Sequence, residues 1–331
     1  MKKNIGNIVK YLLSFALAGV LVYFAFRKID FGEFMKGLAG TRWAYVALFF
    51  VAALLAVVFR EERWRAMLLP LQPGVKRIDA WDAANVGNVT NVVLPGAGEF
   101  VRCAYISSRS GVSYDKALGT IVCERAWDVL AVLLLFVGAL VLGWGRFGGF
   151  VEEEIIGKIS PGAGPALWWT GAGVLVALAV FVWAVFRFRK ENGFFAKAAG
   201  AIKGLGQGFV SFASMKRKWV FLLLTVGIWA MYVLMSWAIL KAVPALSGCG
   251  MMDAIFLSAA GNVASVVPVP GGVGAYHYLL ALSLQTLYGA TWDTGILFAT
   301  LSHESHAILI IVLGLASYLR LTLHKKQSSA S

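Results

Sequence analysis

NVTNVVLPGAGEFVR, residues 88–102, interrupts an apolar run of membrane length with Pro95, Gly96 and Gly98, then places Glu99 and Arg102 where a spanning helix should be finishing. Proline lacks a backbone N–H, and glycine tolerates dihedrals closed to other residues, so a helix is expected to stop here. Whether that stop lies in water or at membrane depth depends on the rest of the chain.

The composition answers this. Of 331 residues 59% are hydrophobic and 14% charged, with a mean hydropathy of +0.75. A soluble domain needs more polar surface, so the sequence reads as a polytopic membrane protein. No polar block is long enough to bury a core of its own, so residues 1–331 form a single integral membrane domain. Cys103, Cys123 and Cys249 are scattered without metal-ligand spacing and read as membrane-helix residues. The apolar run from Ile8 to Phe26 is too long for a cleaved signal and is followed by Arg27 and Lys28, so it reads as a retained first span.

Crossing the hydrocarbon core takes about 20 apolar residues. Full spans are expected at 8–26, 43–59, 117–143, 166–186, 219–242 and 295–319. Two further regions, 78–101 and 252–290, are apolar but studded with Gly, Pro and Asn. Lysine and arginine place the N-terminus, the segment after the second span (Arg60, Arg63, Arg65, Lys76, Arg77), the basic loop 187–218 and the C-terminus on the cytoplasmic side. Glu152, Glu153 and Glu154 mark an outside loop, whereas Arg27, Lys28, Lys36 and Arg42 in the first outside loop run against the rule. The expected location is the cytoplasmic membrane, with both termini inside.

This topology closes only if both broken regions return to the side they entered from, the first from the cytoplasm and the second from outside. They are also related in sequence. GNVTNVVLPG (87–96) pairs with GNVASVVPVPG (261–271), and TIVCERAWDVL (120–130) pairs with TLSHESHAILI (300–310). Gly87 matches Gly261, Pro95 matches Pro270, Gly96 matches Gly271, Glu124 matches Glu304, and Arg102 falls opposite His277. Repeat units are therefore expected at 78–143 and 252–320. The expected fold is all-α, with about six full spans and two oppositely oriented re-entrant broken-helix hairpins related as an inverted repeat. Broken helices at corresponding positions of inverted halves point to a transporter's midplane site. A half-helix starting near Gly98, or near Gly272 in the second repeat, would expose unpaired N–H groups suited to an anion.

Glu99 and Arg102 are three residues apart and can pair. In CERAWDVL, Glu124 and Asp128 share a face, and Arg125 reaches Asp128. Charges at mid-membrane are costly and usually face a bundle interior. The counterpart span holds His303, Glu304 and His306. Their spacing is not HExxH, and they read as protonatable cavity residues with His277, not as a zinc site. The basic loop and the RWR of residues 63–65 read as positive-inside flanks. The net charge of +13 suits anionic headgroups; no nucleic-acid partner is expected, since topology accounts for the basic residues. No phosphate-binding GxxxxGK[ST] loop occurs, and no cofactor is expected.

These residues together resemble the lysylphosphatidylglycerol synthase transmembrane region, or flippase-like domain, family. The resemblance rests on the RWR-containing loop, on Asn91, Pro95, Gly96, Gly98, Glu99 and Arg102, on Glu124, Arg125 and Asp128, and on PGGVG at 270–274. It implies a module that moves a lipid, with Glu99, Arg102, Glu124, Arg125 and Asp128 as family-pattern positions. The soluble aminoacyl-transferase domain of some members is not found in these 331 residues, so a stand-alone member is expected. The functional expectation is a flippase or scramblase for a phospholipid or a lipid-linked saccharide, whose headgroup is anionic, aminoacylated or polyprenyl-phosphate-linked. The alternatives are a membrane enzyme modifying a lipid-linked substrate and a scaffold for a glycosyltransferase; a lipid-modifying transferase is an expected partner.

Overall fold

The computed structural model describes residues 19–94, 96–150, 217–264 and 272–328, together with Ala16, Arg187 and Met215. Most of the expected span at 8–26, all of that at 166–186, most of the basic loop 187–218, and Pro95, Pro270 and Gly271 lie outside the described residues. Helical residues 19–26 lead into α1 (Phe31–Ala39), α2 (Trp43–Leu68), α3 (Arg77–Val93), α4 (Ala97–Ser110), α5 (Tyr114–Leu142) and α6 (Trp144–Phe150). Farther along the chain come α7 (Lys218–Ala242), α8 (Met251–Ala264), α9 (Ala275–Tyr288) and α10 (Trp292–Ser328). Among the described residues no strand occurs.

Helices α2, α5, α7 and the Trp292–Leu321 part of α10 are long and apolar enough to cross a bilayer. On α5, Val129, Leu133, Leu134 and Val137 are exposed, as are Leu223 and Val226 on α7. Such continuous apolar faces suit lipid and not water. The protein is an all-helical membrane protein.

The expected second span, 43–59 followed by a basic loop, needs correcting. Helix α2 runs on to Leu68, so Arg60, Arg63 and Arg65 stand on its last turns and the RWR is not in a loop. No Gly or Pro interrupts the chain before Pro70, and Arg, Glu, Ala and Met favour helix. Partners on α5 neutralise Arg60 and Arg63, and Glu62 of α2 itself pairs with Arg65.

The helix break expected at 94–98 is present. Leu94 ends α3 in an extended conformation, and Gly96, at φ 79°, turns the chain in the left-handed region before α4 starts. Helix α4 then folds back on α3 with the two backbones touching. A Cβ on Gly98 would collide with the carbonyl oxygen of Gly87, so neither helix tolerates a larger residue at the crossing. In the second half, α8 ends at Ala264 and α9 starts at Ala275, directly after Gly272 and Gly274, both at positive φ. A Cβ on Gly261, the sequence match of Gly87, would lie 2.7 Å from the Tyr276 ring of α9.

The packing is reciprocal. Helices α2 and α7 lie along one another, α3 packs on α4 and α10, and α8 packs on α9 and α5. Each hairpin's first half-helix therefore packs against the long helix that follows the other hairpin. The ends of the hairpins are tied alike. Asp79, at the start of α3, accepts a hydrogen bond from Ser110 Oγ at 3.5 Å and lies 3.7 Å from Arg109 Nε. Asp253, at the start of α8, accepts one from Tyr288 Oη at 2.7 Å and pairs with Arg146 of α6 at 3.2 Å.

Candidate functional site

Arg60 and Arg63 lie one turn apart on α2 and face Glu124 and Asp128, one turn apart on α5. Arg60 donates from Nη2 to Asp128 Oδ2 at 2.6 Å, from Nε to Glu124 Oε1 at 3.3 Å, and from Nη1 to Tyr232 Oη of α7 at 2.8 Å. Arg63 donates to Asp128 Oδ1 at 2.7 Å and to Thr225 Oγ1 of α7 at 3.3 Å. From α4, Arg102 donates to Glu124 Oε2 at 2.7 Å. Its guanidinium lies 3.9 Å from the centroid of the Trp64 ring, a cation–π contact. At the rim Arg125, whose side chain is 43% exposed, pairs with Glu99 at 2.8 Å.

The structure thus brings together all five residues expected in the first repeat. Both local pairs expected are present, Glu99 with Arg102 and Arg125 with Asp128, each at 3.6 Å. Each of these residues also has a shorter bond to another helix, Arg102 to Glu124 at 2.7 Å, Arg125 to Glu99 at 2.8 Å and Asp128 to Arg60 at 2.6 Å. One N–H of the half-helix end near Gly98 is already taken, because Asn91 Oδ1 of α3 accepts the Gly98 N–H at 2.8 Å. Arg102 itself is 3% exposed. Of the four arginines, Arg60 and Arg125 keep accessible side chains.

Three members escaped sequence reasoning. Arg60 and Arg63 read as positive-inside flanks, yet Arg63 is fully buried. Glu61, beside them, is 4% exposed, and neither carboxylate oxygen has a hydrogen-bond partner. The available signal was REERWR continuing an apolar run with no helix breaker.

The second group gathers around Glu304 of α10. Its Oε1 lies 3.1 Å from His303 Nδ1 and 3.5 Å from Nε2 of the fully buried His277; the two imidazole rings are 5.3 Å apart. The positions matched in sequence, Arg102 with Glu124 and His277 with Glu304, therefore each meet their own partner. His277, His303 and Glu304 bring one ligand atom each within 4.8 Å of one another, close enough for those three to hold a divalent ion. His306 and His303 line a cavity of about 250 Å³ with Phe49, Tyr232, Ser236, Asn262 and Tyr276. Tyr232 is common to both regions, since its hydroxyl takes the Arg60 bond.

The profile of the lysylphosphatidylglycerol synthase TM region matches residues 11–314. The chain belongs to this family. Among curated relatives of this TM-region protein, glycosyltransferase AglD of Haloferax volcanii is 25% identical over 322 residues, covering 88% of this chain and 51% of the relative. The chain thus spans about half the length of that relative. No solved structure matches.

Proposed function

We propose that the protein is a lipid flippase or scramblase of the cytoplasmic membrane, with both termini inside, in which a headgroup crosses between two inverted hairpins. The observation that carries this reading is the reciprocal packing of α2–α5 and α7–α10 around a polar interior. Each half supplies a long helix, a broken hairpin and a second long helix, so the repeat extends beyond 78–143 and 252–320 to include α2 and α7. Non-helical backbone at membrane depth persists only where it is buried in protein or lines a wet cavity, and broken helices in paired halves suit a midplane substrate site.

The division of labour follows burial. Arg63 and Arg102 hold α2, α4 and α5 together, Arg60 and Arg125 contact the lipid phosphate, and the cavity by α9 takes the remainder of the headgroup. Arginine suits phosphate because its planar fork donates two parallel bonds. The acyl or polyprenyl chains stay against the exposed apolar faces of α5 and α7. His277, His303 and His306 with Glu304 line or gate the path.

The reading is tested by dithionite bleaching of tail-labelled lipids in proteoliposomes. Loss of inner-leaflet signal should outpace protein-free vesicles, and Arg60→Ala with Arg125→Ala should abolish the difference. Equal rates with and without protein, at zero and imposed membrane potential, would reject translocation. A second reading, a membrane module that docks a glycosyltransferase, draws support from AglD, whose name is that of such an enzyme and half of whose length this chain matches. Copurification of a transferase, lost on altering the basic loops while lipid movement persists, would favour it.

A further inference from the structure

The cavity beside the second hairpin has a lining chemistry that distinguishes among headgroups. Among its described lining residues there is no Asp, Glu, Lys or Arg. Its polar groups are the hydroxyls of Ser236, Ser258, Ser302, Tyr232 and Tyr276, the Asn262 amide and two imidazoles, and Phe49 supplies an aromatic wall. Hydroxyls and amides both donate and accept, which matches a ligand whose own groups do the same. An ammonium group, as on an aminoacylated lipid, would find no carboxylate there; Glu304 nearby already binds His303.

Ser236 supplies a second, independent indication. It is 8% exposed, lines the cavity, and its Oγ has no hydrogen-bond partner. Buried polar atoms are nearly always satisfied, so an orphan on a cavity wall marks a place for a ligand or water. Its neighbours are engaged and fixed. Tyr276 Oη lies 3.0 Å from Ser302 Oγ, and the Asn262 amide donates to the Ser258 carbonyl at 2.8 Å, which leaves its side-chain oxygen to accept. The volume of about 250 Å³ lies below the range of about 300–1,000 Å³ typical of drug-sized ligands, so a single ring fits better than an extended headgroup. Beside it, Arg60 Nη1 holds the hydroxyl of Tyr232 on the cavity wall at 2.8 Å, which places a guanidinium next to the pocket.

We infer that this cavity seats one neutral sugar ring and that the lipid handled here is a glycosyl phospholipid, with the sugar on the second-hairpin side and the phosphate toward Arg60. Ser236 and Asn262 hold sugar hydroxyls, and Phe49 covers an apolar face of the ring. The inference rests on the translocation reading and narrows it to one headgroup class.

Binding to the full-length protein in detergent tests it, by titration calorimetry with farnesyl-phosphoryl-glucose, farnesyl phosphate and a short-chain lysyl-phosphatidylglycerol. The sugar lipid should bind about tenfold more tightly than either of the others, the equivalent of one or two hydrogen bonds. Ser236→Ala and Asn262→Leu should each reduce that preference on the order of fivefold to tenfold. Ser236→Ala should also unfold at the same temperature as wild type or higher, because the lost hydroxyl has no partner. That combination separates a ligand contact from a structural one, and it keeps the test open if Asn262→Leu fails to fold. Equal affinity for all three lipids, tighter binding of the lysyl lipid, or a preference unmoved by both variants would overturn the sugar assignment. Sugar-selective binding without movement in proteoliposomes would reject translocation and leave the assignment standing. Movement of all three lipids at one rate without binding preference would do the reverse.

Discussion

Arg102 on α4 and Glu124 on α5 meet at 2.7 Å, and Trp64 of α2 covers the guanidinium from its face. Neither side chain is more than 4% exposed, so this bond joins three helices where water cannot replace it. Removing one partner of a buried pair costs about 3–5 kcal/mol, because the other is left charged and alone. Arg102→Ala should destabilise the protein by that amount in thermal or denaturant unfolding in detergent. Arg102→Lys should recover little, since an ammonium lacks the planar face that lies on Trp64. A loss below about 1 kcal/mol would mean that Arg60 and Arg63 compensate for Arg102 at Glu124.

Glu61 should behave in the opposite sense. Arg60, Arg63 and Arg102 are balanced by Glu99, Glu124 and Asp128, with Arg125 at the accessible rim. Glu61 is buried outside that set of bonds, with both oxygens unpartnered. An unsatisfied buried polar group costs about 1–3 kcal/mol. Glu61→Met, which keeps length and removes the polar atoms, should therefore raise stability by about that much. If unfolding shifts downward instead, Glu61 is a charged member of the cluster, and the balance above is wrong.

The crossing of α3 and α4 gives a steric test. Gly98→Ala puts a methyl group against the Gly87 carbonyl and the Asn91 side chain, which also displaces the cap on α4. Overpacking of this kind costs about 1–3 kcal/mol, with lost capping adding about 1 kcal/mol. Gly96→Ala meets nothing within 4 Å but must hold φ near 79°, a strain of about 1–2 kcal/mol. Unfolding measurements should rank Gly98→Ala as the more damaging. The reverse order would show that backbone conformation, not helix contact, fixes the hairpin.

Much of this was legible from residues 88–102 because Pro, Gly and charge at membrane depth have few explanations. The span ends were less so. Positive-inside counting treats every arginine beside an apolar run as a flank, and it assigned Arg60 and Arg63 to a loop although their partners lie about 65 residues away on α5. Sequence spacing shows only neighbours on the same helix, which is why the Glu99–Arg102 pair was legible and the Glu99–Arg125 pair was not. One signal was overlooked. Asp79-Ala80 and Asp253-Ala254 each precede GNV by the same interval, at Gly87 and Gly261, and both aspartates tie the ends of their hairpins. The cavity was not legible, since Phe49, Tyr232 and Ser236 come from helices outside the aligned repeat.

The sidedness of the hairpins remains the strongest demand that the inverted arrangement makes. If α3–α4 opens to the cytoplasm and α8–α9 to the outside, the far ends of α4 and α9 face opposite solutions. Ser108 and Thr286 are exposed near those ends, while Cys103, Cys123 and Cys249 are buried and replaceable by Ala or Ser. Single cysteines at the two positions should therefore react with a membrane-impermeant maleimide from opposite sides, Thr286→Cys in intact cells and Ser108→Cys only in inverted vesicles. The mean hydropathy of the chain cannot produce that result, and neither can a bundle of hairpins entering from one face. Labelling of both positions from the same side would make the two halves a parallel repeat. It would also remove the argument that the lipid phosphate passes between oppositely oriented broken helices.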